Sequence, residues 1–372
     1  MKKNVSVSKL DKSMHHGKLD SNQLIWHDPK RHPFQVNGFA WFDTEKTYRR
    51  IPVQPAWDIP EAVDVLANHT SGGQIRFQTD SKLLAVKVRL TAKADMNHMP
   101  ATGQCGFDCY IGKTGEKHYI NTTKYDHNQL EYVLTLFERE ENSLIPITLN
   151  FPLYQGVEEV LIGLSENAKI TPPPPYEDNK KIILYGTSIL QGGCASRPGM
   201  SYTNILSRRI NLEFINLGFS GNGKGEPNLA RLISTIEDPA CLVLDYEPNC
   251  VSTALYKETL PAFIQIYREA HPDVPIIVVS KFPYAKEKVN PQLKVERLER
   301  LEFQKKLVLQ LQSQGDNKIT FVDGTDLLGP YTNEGTVDGS HPNDLGFMYM
   351  AQRLEKVLRD VLGEKFSERA SN

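Results

Sequence analysis

Cysteine is scarce in this chain. Five residues in 372, Cys105, Cys109, Cys194, Cys241 and Cys250, form an odd set without CxxC spacing. That excludes a disulfide framework and a zinc ribbon and leaves reduced, mostly buried thiols. An excess of either charge is also missing: 43 lysines and arginines stand against 45 aspartates and glutamates, a formal net charge of -2. Such a balance gives no broad attraction for nucleic acid or for an anionic membrane, so neither is expected as a partner. Long apolar runs are absent too. Nothing approaches the roughly 20 residues that cross a bilayer, and the opening Lys2-Lys3 is followed by no apolar stretch of signal-peptide type. The chain reads as a soluble cytoplasmic protein. His15, His16, His27 and His32 lack the spacing of a zinc site, and no metal is expected.

What is present is a chain long enough for two domains, 40% of it hydrophobic. Between about 24 and 165 it runs in short alternating or apolar segments, at 74–78, 83–90, 105–111, 132–137, 145–151 and 158–164. Turn-rich stretches such as Thr70-Ser71-Gly72-Gly73 separate them, which is the pattern of an all-β sandwich. Thr171-Pro172-Pro173-Pro174-Pro175 then forbids helix and central strand alike and reads as a stiff linker. Beyond it, apolar strands at 181–185, 213–217, 241–245, 275–280 and 319–322 alternate with helical stretches at 201–210, 228–236, 253–270, 292–312 and 343–362. This alternation predicts an α/β fold with a doubly wound parallel five-stranded sheet. The expected division is an N-terminal β-sandwich domain over 1–170, a Pro-rich linker over 171–179 and an α/β domain over 180–372.

Ligands of such sheets sit beyond the carboxyl ends of the strands. Three polar clusters fall there and a fourth precedes the last helix. Gly186-Thr187-Ser188 leaves the first strand; a serine at that turn presents its hydroxyl at the sheet edge, although as an isolated feature it reads equally as a helix N-cap. After the second strand, Gly218 to Lys224 match the GxxxxGK of a phosphate loop. Gly225 occupies the place of the magnesium-binding Ser or Thr, however, and Glu226-Pro227 interrupt the helix, which argues against nucleotide binding. Asn249 lies after the third strand, able to donate an amide into the same crevice or simply to shape a turn. In the fourth cluster, Asp338-Gly339-Ser340-His341, a carboxylate three residues from an imidazole can orient it.

Together these segments resemble the four blocks of the SGNH (GDSL-type) hydrolases: Gly186-Thr187-Ser188, Gly221 in a Ser-Gly-Asn context, Asn249, and Asp338-x-x-His341. The resemblance covers about 180–362. Trp26-His27-Asp28-Pro29 and Gly38-Phe39-Ala40-Trp41-Phe42 look like the sandwich that precedes the catalytic domain in a subgroup of these enzymes. The family's Gly-Asp-Ser is Gly-Thr-Ser here, and its Gly-x-Asn-Asp block is replaced by Glu247-Pro248-Asn249-Cys250.

The resemblance implies a flavodoxin-like SGNH sheet after a jelly-roll-like sandwich, and a catalytic set of Ser188, Asp338 and His341. The oxyanion donors would be Ser188, Gly221 and Asn249, and no cofactor would be needed. It further implies a serine esterase acting through an acyl-enzyme on a small acyl ester, with an acetylated sugar as the working substrate. An acyltransferase on the same machinery and a non-catalytic carbohydrate-binding protein are the alternatives. The elbow of α/β-hydrolases needs glycine where Leu190 stands, so that fold is not expected. Arg197, just beyond the nucleophile loop, and Trp41, among the aromatics Trp26, Phe34, Phe39, Phe42 and Trp57, are the candidate substrate contacts. Surface ion pairing and core filling are their simpler explanations. Cys194 reads as a packed thiol, and a homo-oligomer is left open.

Overall fold

The computed structural model describes residues 24–363 apart from Asn333; His15 and His16 lie outside the described residues. In Leu83–Leu90 the alternation works as the period of a strand requires: Leu84, Val86, Val88 and Leu90 are buried while Lys87 and Arg89 face solvent. This strand, β4, lies in an antiparallel sheet of order β1-β9-β4-β7, where β1 is Leu24–His27, β7 Glu131–Glu138 and β9 Val157–Ser165. A second antiparallel sheet has the order β10-β3-β8-β5-β6, with β2 (Gln35–Asn37) beside β3. Its members are β3 (Gln74–Thr79), β5 (Asp108–Ile111), β6 (His118–Thr122), β8 (Ile145–Asn150) and β10 (Ile170–Thr171). The two apolar faces share one core, in which Ile75, Phe77, Ile147 and Leu149 meet Val86, Leu134, Val160 and Ile162. This is the expected sandwich.

The strand expected over 105–111 begins only at Asp108, because Ala101–Gln104 closes a helical turn just before it. The proline run joins β10 to the parallel sheet and is laid along β3. The carbonyl of Pro172 accepts from Gln78 Nε2 at 2.8 Å and that of Pro174 from Arg76 Nη2 at 2.7 Å.

Strands β11 (Lys181–Gly186), β12 (Glu213–Gly218), β13 (Pro239–Asp245), β14 (Ile276–Val279) and β15 (Ile319–Val322) form the third sheet. It is wholly parallel, in the order β12-β11-β13-β14-β15, the doubly wound arrangement expected from the alternation. Near-continuous apolar runs such as Ile182-Ile183-Leu184-Tyr185 are buried because both faces are covered. Helices Tyr202–Arg209 and Asp344–Leu362 pack on one face. Pro227–Ser234, Thr253–Ala270 and Pro291–Ser313 pack on the other. The order reverses at β11, so the crevice opens beside its carboxyl end.

The sandwich is fastened over that end by buried polar groups. Asp108, with no exposed surface, accepts from Arg197 Nη1 at 2.8 Å, from the Gly199 N–H at 2.7 Å and from Asn150 Nδ2 at 2.7 Å. Arg50, also fully buried, donates to four carbonyls, those of Leu66 and His69 in the sandwich and of Asn216 and Gly218 at the end of β12. Gly38 N–H reaches Glu213 Oε1 at 2.7 Å. Breaking a buried pair strands its other member without solvation. Asp108→Ala is therefore expected to lower stability by about 3–5 kcal/mol, measured by urea unfolding; a change within about 0.5 kcal/mol, the level of an ordinary surface site, would contradict this role for the seam.

Candidate active site

Three loops reach the crevice directly from the carboxyl ends of β11, β12 and β13. In the first, Thr187 is extended and its Oγ1 accepts from the Ile189 N–H at 3.2 Å, so threonine is the N-cap of the helix Ser188–Gln191. Ser188 is thereby the first helical residue rather than the cap. Its hydroxyl is left for another partner: Ser188 Oγ lies 2.9 Å from His341 Nε2.

His341 comes from the loop before helix Asp344–Leu362. Its Nδ1 stands 2.7 Å from Asp338 Oδ2, while Asp338 Oδ1 accepts from the backbone N–H groups of Ser340 at 2.9 Å and His341 at 2.7 Å. Burial alone would raise the Asp338 pKa. The His341 N–H and ring and the Ser340 N–H outweigh it and hold the carboxyl well below the usual carboxylate range. Asp338 is thus an ionised partner for His341 Nδ1, which leaves Nε2 as the nitrogen that meets the serine. Gly193 permits the close approach: a β-carbon there would stand 2.8 Å from Tyr154 Oη and 3.3 Å from His341 Cδ2.

The second loop turns at Gly221, whose φ of +68° favours glycine. The third contains the short turn Glu247–Asn249, and Asn249 Nδ2 donates to the Phe219 carbonyl at 3.0 Å, tying this loop to the second. Glu247 holds the turn from behind: its Oε2 accepts from the Lys281 N–H and from Gln304 Nε2 at 2.8 and 2.9 Å.

Sequence reasoning missed the groups that fix the nucleophile turn. Gln191 donates from Nε2 to the Leu153 carbonyl and to His69 Nδ1, both at 3.1 Å, and accepts at Oε1 from the Ser220 N–H at 3.0 Å. Burial and the nearby Arg50 charge lower the pKa of His69 to about 4, so it is neutral and can accept at Nδ1. Tyr154 donates to the Ser188 carbonyl at 3.0 Å and Ser71 to that of Gln191 at 2.6 Å. Tyr154, Ser71 and His69 come from sandwich loops, and nothing local in their sequence marks them.

The two proposed substrate contacts have other surroundings. Arg197 is engaged by Asp108 and Tyr110 and stacks at 3.8 Å over the Tyr119 ring, so its guanidinium serves the seam. Trp41 packs, half-buried, on the apolar cluster to which helix Pro227–Ser234 contributes Leu229, Leu232 and Ile233. Phe34, Phe39 and Phe42 fill the sandwich core. The five cysteines are buried and unpaired; burial, with the Asp338 charge, pushes the Cys194 thiol up to about 12, so it is no nucleophile at neutral pH.

One buried carboxyl beside the crevice carries a pH dependence. Burial raises the Asp245 pKa to about 7, opposed by the Tyr202 hydroxyl that donates to it at 2.9 Å and assisted by the Glu247 charge. In the unfolded chain an aspartate ionises near pH 4. The folded state therefore binds the extra proton between about pH 4 and 7, and stability falls as pH rises through that window. Asp245→Asn, which keeps an acceptor for Tyr202, is expected to raise Tm more at pH 8 than at pH 5 when thermal melts are compared. An equal shift at both values would contradict the assignment.

Two family models match the chain. Residues 179–359 match the model of the GDSL-like lipase/acylhydrolase family, and residues 24–170 match that of the N-terminus of SGNH-hydrolase-type esterases. A Bacteroides ovatus protein named for its likeness to GDSL lipases superposes with a TM-score of 0.83 at 29% identity, covering 91% of this chain and 98% of that one. A salicylyl-acyltransferase from a tetracycline biosynthetic pathway has a TM-score of 0.73 at 21% identity, over 91% and 98% of the two chains. An acetyl xylan esterase from Butyrivibrio proteoclasticus shares the fold at 14% identity and a TM-score of 0.57, over 91% and 100%. A search among curated proteins gives no match. Among the described residues no helix is long and apolar enough to cross a membrane.

Proposed function

We propose, on the premise that this chain belongs to the SGNH (GDSL-type) hydrolases, that it is a serine esterase in which Ser188 is the nucleophile, His341 the general base and Asp338 its orienting carboxylate. The observation that carries the reading is the continuous relay from Ser188 Oγ to His341 Nε2 at 2.9 Å and from His341 Nδ1 to Asp338 Oδ2 at 2.7 Å. His341 takes the hydroxyl proton as Ser188 attacks the ester carbonyl, and Asp338 stabilises the imidazolium that forms. His341 then protonates the leaving alcohol. Water, deprotonated by the same imidazole, releases the acyl-enzyme.

The oxyanion is assigned to the backbone N–H groups of Ser188 and Gly221 and to the side-chain amide of Asn249. One hydrogen of that amide is given to Phe219, which aims the group and leaves the second for the substrate oxygen. A small acyl ester, an acetylated sugar in particular, is the substrate class we favour; the acetyl xylan esterase with the same fold supports it. An acyltransferase would use the same nucleophile with an alcohol in place of water, and the similar salicylyl-acyltransferase keeps that reading in view. A purely carbohydrate-binding role leaves the aligned relay without a purpose.

The test is hydrolysis of p-nitrophenyl acetate and acetylated mono- and oligosaccharides, with and without an alcohol acceptor. Ser188→Ala should lower kcat by at least about 10³-fold with the fold intact by circular dichroism. Free acetate should be the product with or without acceptor; acetylated acceptor as the main product would select the transferase. Activity undiminished in Ser188→Ala would overturn both.

A further inference from the structure

A second chemistry converges on the face of His341 turned toward the sandwich. His98 belongs to the loop between β4 and the helix Ala101–Gln104. Gln104, buried, fixes this loop by accepting from the Asp95 and Met96 N–H groups, each at 3.0 Å, and donating to the Met99 carbonyl at 2.7 Å. The His98 ring stands edge-on to that of His341, centroids 5.7 Å apart. Its Nδ1 is turned to Asn97 Oδ1 at 3.2 Å, which leaves Nε2 for a ligand.

Cys194 completes the group. It ends the Gly192-Gly193-Cys194 run at φ +76°, a left-handed conformation that disfavours a β-carbon and that glycine would adopt without strain. Donor atoms of His98, Cys194 and His341 all lie within 4.8 Å of one another.

We propose that His98, Cys194 and His341 bind a thiophilic divalent cation of the zinc class, and that this cation holds the esterase inactive. Two imidazoles and a thiolate are a donor set that suits zinc, with a fourth position open to water. Metal–ligand bonds of about 2.0–2.3 Å place such donors roughly 3.5 Å apart, so closure asks for a movement of about 1 Å, which the half-buried His98 side chain can supply. With Asp338 on Nδ1, His341 offers Nε2 to the metal in a carboxylate–histidine–metal arrangement. That is the nitrogen facing Ser188 Oγ. Coordination releases the thiol proton to solvent and removes the base from the serine. The binding site stands apart from the esterase reading; only the inhibition rests on it.

The experiment is a titration of chelator-treated protein with Co²⁺ by absorption spectroscopy, followed by Zn²⁺ displacement, alongside p-nitrophenyl acetate hydrolysis at the same Zn²⁺ concentrations. One equivalent of Co²⁺ should give a thiolate-to-cobalt charge-transfer band that Zn²⁺ abolishes. Cys194→Ser and Cys194→Gly, the latter suited to the backbone there, should lose the band and retain basal hydrolysis. In these variants and in His98→Ala, the Zn²⁺ needed for half-inhibition should rise at least tenfold. Inhibition equally sensitive to Zn²⁺ in all variants, or Co²⁺ binding without the band, would overturn the proposal. A Cys194-dependent band in a protein without hydrolytic activity would uphold the site and overturn the esterase reading instead.

Discussion

A single-turn helix cannot satisfy its own carbonyl groups, and the proposed nucleophile stands on one. Helix Ser188–Gln191 ends after one turn, so the N–H groups of Gly192 and Gly193 reach only its first two carbonyls, and Ile189, Leu190 and Gln191 are buried, so water cannot supply the rest. Each carbonyl instead has a named donor. That of Ser188 receives Gly192 N–H, Gly193 N–H and Tyr154 Oη, and that of Ile189 receives Gly192 N–H. Those of Leu190 and Gln191 receive Asn216 Nδ2 and Ser71 Oγ. Two of these donors, Tyr154 and Ser71, belong to the sandwich. The β-half therefore reaches the crevice in part by satisfying the backbone of the nucleophile turn.

The same logic explains the departures from the family pattern. Threonine in place of aspartate before Ser188 still caps the turn, and it leaves the crevice with one carboxylate fewer beside the serine. Glu247 in the third block is turned away from the crevice into bonds with Lys281 and Gln304, holding the turn from which Asn249 reaches Phe219. Arg197 and Arg50, both on the seam, are engaged by Asp108 and by four carbonyls. Their charge is spent on assembly.

The strands of the parallel sheet were legible because runs such as Ile182-Ile183-Leu184-Tyr185 are apolar throughout, and helices such as Thr253–Ala270 because buried residues (Tyr256, Leu260, Phe263, Ile264, Tyr267) recur at the helical period. Short edge strands such as β2 and β6 were not: at three to five residues and half exposed, they lack the burial that writes alternation into a sequence. Ser188, Asp338 and His341 were readable because strand ends and a loop spacing of three place them. Tyr154, Ser71, Gln191 and His98 were not, since their roles arise from docking two halves that are distant in the chain: Tyr154 lies 34 residues from Ser188, and Ser71 lies 120 from Gln191. The cation cluster was invisible for the same reason: histidine and cysteine spacing reveals a site only when the ligands share a local segment.

Every step of the proposed mechanism depends on the His341–Asp338 pair making the Ser188 hydroxyl a nucleophile. Treatment with a fluorophosphonate, followed by intact-mass and peptide mass spectrometry, addresses it directly and needs no knowledge of the natural ester. A single adduct, mapped to Ser188, is expected, and its formation should slow by orders of magnitude in His341→Ala. No adduct on the folded protein, or an adduct on another residue, would contradict it.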